Sequence, residues 1–300
     1  MNDTSTTGGP PAPTVDPSAI REIVPGVFVI SDRRVPLVPN VGIVLGSAAA
    51  LVVDTGMGPA NGRKVLDAAR SVAGGRRLIL TLTHFHPEHG FGAQVFKGAA
   101  KIHYNRAQRD ELRAKGPGYL EMFKTFGPSV AAALEGTKLV DPDEIYEGQS
   151  ATIDLGGRKV ELRTWGLAHT AGDQVVWLPA ERILFTGDLA EDRIFPIFPW
   201  FPPNDADIDG ARWVQVLSEL ASWNPAIVVP GHGDVGSVGI LTAVRDYIVD
   251  LSNRVAAEKS SGKDADAIVA ALAPKVRAEH PDWSAPEWID FAIRYHASLN

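Results

Sequence analysis

The chain has no cysteine among its 300 residues, which excludes disulfides, thiolate metal ligands and a cysteine nucleophile together. Any metal chemistry must therefore use histidine and carboxylate ligands, a donor set that favours an open catalytic site over a closed structural one. No run approaches the roughly 20 apolar residues of a membrane span, and no apolar core of a signal peptide stands near Met1. A soluble, cytoplasmic protein is the expectation. An excess of positive charge is missing as well: 29 Lys and Arg against 36 Asp and Glu give a formal charge of -7, so no basic face for nucleic acid is expected. The Gly-x-Ser-x-Gly elbow and the Gly-x-x-x-x-Gly-Lys-Ser/Thr phosphate loop are absent, so neither a serine hydrolase nor a P-loop nucleotide site is implied. Apolar residues, at 45%, are ample for one large or two modest cores.

The chemistry that is present concentrates between Thr81 and Gly90, Thr-Leu-Thr-His-Phe-His-Pro-Glu-His-Gly. The apolar run Leu78–Thr83 reads as a buried parallel strand, too short for a helix. It delivers His84 and His86 at its end, and two residues apart on extended chain they point the same way. Pro87 stops a simple strand ladder, so the chain turns and brings Glu88 and His89 in from another side. Three imidazoles and one carboxylate within six residues suit a borderline cation such as zinc. A surface histidine cluster or an expression tag is the bland alternative, but a tag does not sit at the end of a core strand.

Taken in order, Met1–Pro17 is rich in Thr, Gly and Pro and is expected to be a disordered tail. Ile23–Ile30, Val41–Leu45 and Ala50–Val53 read as strands, the last ending at Asp54-Thr55-Gly56. Asn61–Ala73 carries Val65, Leu66, Ala69 and Val72 at helical spacing and is stopped by Gly74-Gly75. Ala93–Phe96 begins a helix and Lys101–His103 is a short strand. Asn105–Phe126, with Gly116-Pro117-Gly118 inside it, reads as two short helices that form either a lid of the site or a packing insertion. Ala151–Leu155 and Lys159–Thr164 make a hairpin across Gly156-Gly157, and His169 follows it after a short loop. Gln174–Leu178 and Arg182–Thr186 form the next pair, ending at Gly187-Asp188. Ala211–Leu220 is a helix, and Ala226–Val229 a buried strand ending at Pro230-Gly231-His232-Gly233. The alternation predicts a mixed sheet with helices packed on it. From Gly239 the pattern is helical, through Ile240, Leu241, Val244, Ile248, Leu251 and Val255, followed by helices over Ala265–Glu279 and Pro286–Ser298. Trp288, Phe291, Ala292 and Tyr295 share a face that covers either the chain's own core or a subunit partner, which leaves a homodimer open.

Four apolar strands thus finish at His84, His169, Asp188 and His232, and packing alone explains this poorly. His103, His280 and His296 stand outside the set and read as ordinary exposed or packed histidines. The ordered motifs Asp-Thr-Gly, Thr-His-Phe-His-Pro-Glu-His-Gly, Ala-His-Thr-Ala-Gly-Asp, Phe-Thr-Gly-Asp and Pro-Gly-His-Gly resemble the metallo-β-lactamase superfamily over roughly Ile20–Val238. The resemblance implies an α/β fold, an αββα sandwich of two mixed β-sheets flanked by helices over residues 18–238, here with a helical C-terminal extension, 239–300, packed on the same domain. It implies a first metal site of His84, His86 and His169, a second of Glu88, His89 and His232, and Asp188 bridging the two. Asp54 would stand behind them and hold the histidine loop. Asp173 reads as a turn residue or a group behind the ligands, not as a ligand.

One departure from the family pattern is Glu88, which replaces the usual Asp and is one methylene longer; it is either a ligand or a base for the bound water. Asp188 also distinguishes branches, because β-lactamases of the family usually place Cys or Ser there, whereas its thioesterase, lactonase and phosphodiesterase branches use Asp. The implied function is a hydrolase holding one or two Zn2+ ions. Metal-bound hydroxide, with Asp188 and Glu88 handling its proton, would cleave an ester, lactone, thioester or amide-type bond of a small organic substrate. The alternatives are a mononuclear iron oxidoreductase resembling persulfide dioxygenases, with Fe on His84, His169 and Asp188, a β-lactamase proper, or a non-catalytic metal-binding protein. Directly after Asp188 comes the loop Glu191–Pro203, whose Phe195, Phe198, Trp200 and Phe201 either wall a substrate pocket or bury the base of the loop.

Overall fold

The computed structural model describes residues 11–299, and its backbone contacts divide the chain into two units. The first runs to Tyr146 and also takes Asp154–Arg158; the second comprises Glu147–Ile153 and the chain from Lys159. Strands β1 (Ile20–Val24), β2 (Val27–Ile30), β3 (Val41–Leu45), β4 (Ala49–Val53), β5 (Arg77–Thr81), β6 (Ala100–Asn105) and β7 (Glu144–Tyr146) form one sheet in that order. Pairing is antiparallel from β1 to β4 and parallel from β4 to β7. Where one strand was expected over Ile23–Ile30 there are two, because Pro25-Gly26 makes a turn in which Gly26 adopts φ 77°. Every residue of β4 is buried, as continuous apolar sequence in a parallel pairing requires. Helix α1 (Gly58–Ala73) buries Val65, Leu66 and Ala69 and ends at Gly74 in the left-handed conformation, φ 57°.

The remaining helices of this unit are α2 (Pro87–Gly90), α3 (Arg106–Lys124) and α4 (Pro128–Ala133). The two helices expected over Asn105–Phe126 are a single one, α3, which runs straight through Gly116-Pro117-Gly118. An interior proline ordinarily costs a helix about 3 kcal/mol. Here Pro117 is exposed, while Leu112 before it and Tyr119 and Phe123 after it are buried, so tertiary packing spans the weak point. Gly116 serves close packing, since a Cβ there would lie 2.7 Å from the Leu139 side chain. Of the expected N-terminal tail, residues 1–10 lie outside the described residues. The segment after them is tied down and is not a tail. Val15 is buried and its N–H donates to Asn61 Oδ1 at 2.9 Å, while Asn61 Nδ2 donates to the Pro13 carbonyl at 2.7 Å.

The second unit holds a five-stranded sheet ordered β12-β11-β10-β9-β8, from β8 (Ser150–Asp154), β9 (Lys159–Arg163), β10 (Val175–Leu178), β11 (Ile183–Phe185) and β12 (Ile227–Val229). Strands β9, β10 and β11 pair antiparallel, and β11 and β12 pair parallel. Helices α5 (Gly210–Ser222), α6 (Gly239–Ser260), α7 (Ala265–Glu279) and α8 (Trp288–Ser298) share one core with this sheet. The aromatic face of α8 is used within the unit: Ala292 and Tyr295 are buried, and Trp288 and Phe291 pack on Phe201 with ring centroids 6.4 and 5.6 Å away. Among the described residues no helix is long and apolar enough to cross a membrane.

Candidate metal centre

In the first unit the site is built where two parallel strands end side by side. Val53 of β4 pairs with Thr81 of β5, so Asp54 and the histidine loop leave the sheet at neighbouring points. Asp54 takes φ 68°, a left-handed conformation that aspartate tolerates better than most residues. Its buried carboxylate receives the Thr83 N–H on Oδ1 at 2.7 Å and the Thr83 hydroxyl on Oδ2 at 2.9 Å. Oδ2 also lies 2.9 Å from His89 Nδ1, which turns the opposite ring nitrogen, Nε2, away from Asp54. The strand stops at Thr81, sooner than expected, and His84 and His86 sit on the loop beyond it with ring centroids 4.5 Å apart. Pro87 opens α2, a single buried turn that brings His89 back to within 4.3 Å of the His84 ring. His84 and His86 offer donor atoms within 4.8 Å of each other, and so do Glu88 and His89. The Thr55 hydroxyl ties this turn to β4 by donating to the His89 carbonyl at 2.8 Å.

The second unit repeats the principle with another parallel pair. Phe185 of β11 pairs with Val229 of β12; Asp188 follows the first by three residues and His232 the second by three. Asp188 sits in a tight turn, Gly187–Leu189, and its Oδ1 lies 3.8 Å from His232 Nε2. The two loops are laced together: the Gly231 N–H donates to the Gly187 carbonyl at 3.0 Å, and the Asp192 N–H to the His232 carbonyl at 3.0 Å. A Cβ at Gly231 would overlap the Asp188 carboxylate, so this position admits only glycine. His169 also offers a donor atom within 4.8 Å of one on Asp188. Buried imidazoles and carboxylates, two of the imidazoles facing a carboxylate through Nδ1, fit a divalent cation.

Of two aromatic residues beside these histidines, Tyr119 lies in the Asn105–Phe126 segment expected as a lid or a packing insertion, whereas Trp213 was not singled out. Tyr119 of α3 stacks on His86 at 5.1 Å with an interplanar angle of 21°, and Trp213 of α5 lies 5.3 Å from His169 while its indole N–H donates to the Leu189 carbonyl at 2.9 Å. Phe195 and Phe198 are fully buried, the first among Tyr247, His280 and Trp283 and the second among Trp213, Tyr295 and His296. They pack the base of the loop and offer no wall to a substrate; Trp200 and Phe201 are half-buried.

Residues 34–232 match the family model described as the metallo-beta-lactamase superfamily. The metallo-beta-lactamase type 2 of Bacteroides fragilis is 31% identical over 137 residues, 44% of this chain and 53% of its own, so the chain spans about half of that relative. The metallo-beta-lactamase type 2 of Bacillus cereus is 27% identical over 215 residues, 70% of this chain and 73% of its own. Among solved structures, the inverting sec-alkylsulfatase Pisa1 from Pseudomonas sp. superposes with a TM-score of 0.69 at 16% identity, over 92% of this chain and 49% of that one. This last likeness concerns the fold alone, and the fold is the expected α/β type, two mixed sheets flanked by helices. With the family model reaching from before β3 to His232, this chain belongs to the metallo-beta-lactamase superfamily.

Proposed function

We propose that this chain is a zinc-dependent hydrolase that cleaves an ester, lactone, thioester or amide-type bond of a small organic substrate. What carries the reading is the donor set: the family's ligand positions hold metal-binding side chains, with Glu88 standing in for the usual Asp, and each of these side chains is buried. His84, His86 and His169 would hold a first ion, Glu88, His89 and His232 a second, and Asp188 would be shared. When bound, such a cation would polarise the scissile carbonyl and lower the pKa of its water to roughly 7. Asp188 orients the attacking water and accepts its proton, and passes it to the leaving group as the bond breaks. Glu88, with its extra methylene, either binds the second ion or shares that proton. Asp54 keeps the His89 ring in place throughout. An aspartate at position 188, where β-lactamases of the family usually carry Cys or Ser, favours these substrates over β-lactams.

Metal analysis of protein purified without added metal tests this reading, together with a panel of lactone, aryl ester, thioester, alkyl sulfate and β-lactam substrates. About two zinc ions per chain and turnover of an ester-like substrate are expected. Iron with oxygen consumption, or turnover of β-lactams alone, would overturn it.

A further inference from the structure

Asp173 belongs to no ligand set above, yet it is only 3% exposed. A buried carboxylate is costly unless its oxygens are engaged. Here Oδ2 receives the backbone N–H groups of His169 and Thr170, both at 2.8 Å, and Oδ1 receives the Thr170 hydroxyl at 2.6 Å. The same Oδ1 faces His169 Nδ1 at 3.4 Å. The first unit holds the same grouping built from unrelated elements, since Asp54 takes the N–H and hydroxyl of Thr83 and faces Nδ1 of His89. In both, a carboxylate grips one threonine twice and addresses the Nδ1 of a histidine. At 3.4 Å the Asp173 contact is longer than the 2.7–2.9 Å of a charge-assisted hydrogen bond. Its influence on the ring therefore runs through its charge and through the two amides that it holds.

We infer that Asp173 is a positioning residue for the metal centre: it keeps His169 in the tautomer protonated on Nδ1, so that Nε2 carries the lone pair offered to the ion. The inference rests on the reading of His169 as a metal ligand. A negative oxygen beside Nδ1 stabilises a proton there, and the clamped amides of His169 and Thr170 fix the backbone from which the ring projects. Asparagine at this position keeps the shape but replaces one oxygen by an N–H donor. That donor faces either the two amides, which it repels, or Nδ1, where it favours the opposite tautomer.

The test uses the full chain stripped of metal and labelled with 15N, in which two-bond proton–nitrogen spectra report the tautomer of each imidazole, His169 being assigned by the signal lost in His169→Gln. His169 is expected as the Nδ1–H form in the wild type and not in Asp173→Asn. Zinc affinity, measured by competition with a chromogenic chelator, should fall about 10- to 100-fold in Asp173→Asn. A purely structural role would lower the melting temperature of the metal-free protein and leave tautomer and affinity alone. The Nε2–H form in the wild type, or unchanged zinc affinity in Asp173→Asn, overturns the inference. Should Asp173→Asn not fold, the wild-type tautomer decides by itself. If the wild type takes up no zinc, the metal reading is what fails, and the tautomer still decides the role of Asp173.

Discussion

Replacing Trp213 by phenylalanine separates packing from hydrogen bonding beneath the turn that carries Asp188. The indole is fully buried, donates to the Leu189 carbonyl at 2.9 Å, and lies 5.3 Å from the His169 ring and 5.2 Å from Phe198. Phenylalanine retains much of the ring contact and loses the donor. Leaving that buried carbonyl without its partner costs about 1–3 kcal/mol, and the void left by the smaller ring adds about 1 kcal/mol. Trp213→Phe should therefore destabilise the metal-free protein by about 2–4 kcal/mol, and Trp213→Ala by a further increment, since truncating a buried tryptophan costs about 3–5 kcal/mol. Urea unfolding reads this as a lower midpoint at unchanged slope. Because Leu189 is the neighbour of Asp188, zinc affinity should drop in the same variant. A Trp213→Phe protein within about 0.5 kcal/mol of wild type, the range of a neutral surface substitution, would refute the reasoning.

His84→Ala should remove most of the bound metal and activity while the metal-free melting curve stays close to wild type; unchanged metal content in the folded variant would reject the ligand assignment. Glu88→Gln should bring metal stoichiometry toward one per chain and slow turnover, whereas normal stoichiometry with an altered pH–rate profile would make Glu88 a base. His296 supplies a pH prediction. Burial lowers its pKa from 6.5 to about 4, so the unfolded chain takes up the proton first as pH falls. Stability that is complete above pH 6.5 is then lost toward pH 4, by up to about 3 kcal/mol. His296→Leu in metal-free protein should flatten the urea midpoint across that window, and an equally steep loss in both proteins would show that other groups are responsible.

Much of the site was legible because its residues follow short apolar strands, and that pattern is local. Asp188 after Ile183–Phe185 and His232 after Ile227–Val229 show it directly. What stayed hidden depends on partners distant in sequence. Val15 reads as tail until Asn61, 46 residues away, is seen to bind its amide. Gly116-Pro117-Gly118 reads as a break until Leu139 is found against Gly116. The aromatics of Glu191–Pro203 fitted a pocket wall as well as a core, and only α6 and α8, which supply Tyr247 and Tyr295, decide between the two for Phe195 and Phe198. Asp173 lies one turn beyond His169, where spacing permits a ligand, a brace or a plain turn residue alike.

The parallel register of β11 and β12 also sets where this gene can change length. Phe185 and Val229 are opposite each other, and both loops reach their ligand after the same three residues. One codon gained or lost in either step would carry a ligand along the chain by about 3.3 Å. A slip of one residue would also bring a side chain to the place of Gly231, where there is no room for one against Asp188. The exposed joint at Ser261–Lys263, between α6 and α7, bears no such constraint. Insertions and deletions among descendants of this sequence should collect there and be purged from 186–188 and 230–232, leaving an uninterrupted frame on both sides of the site.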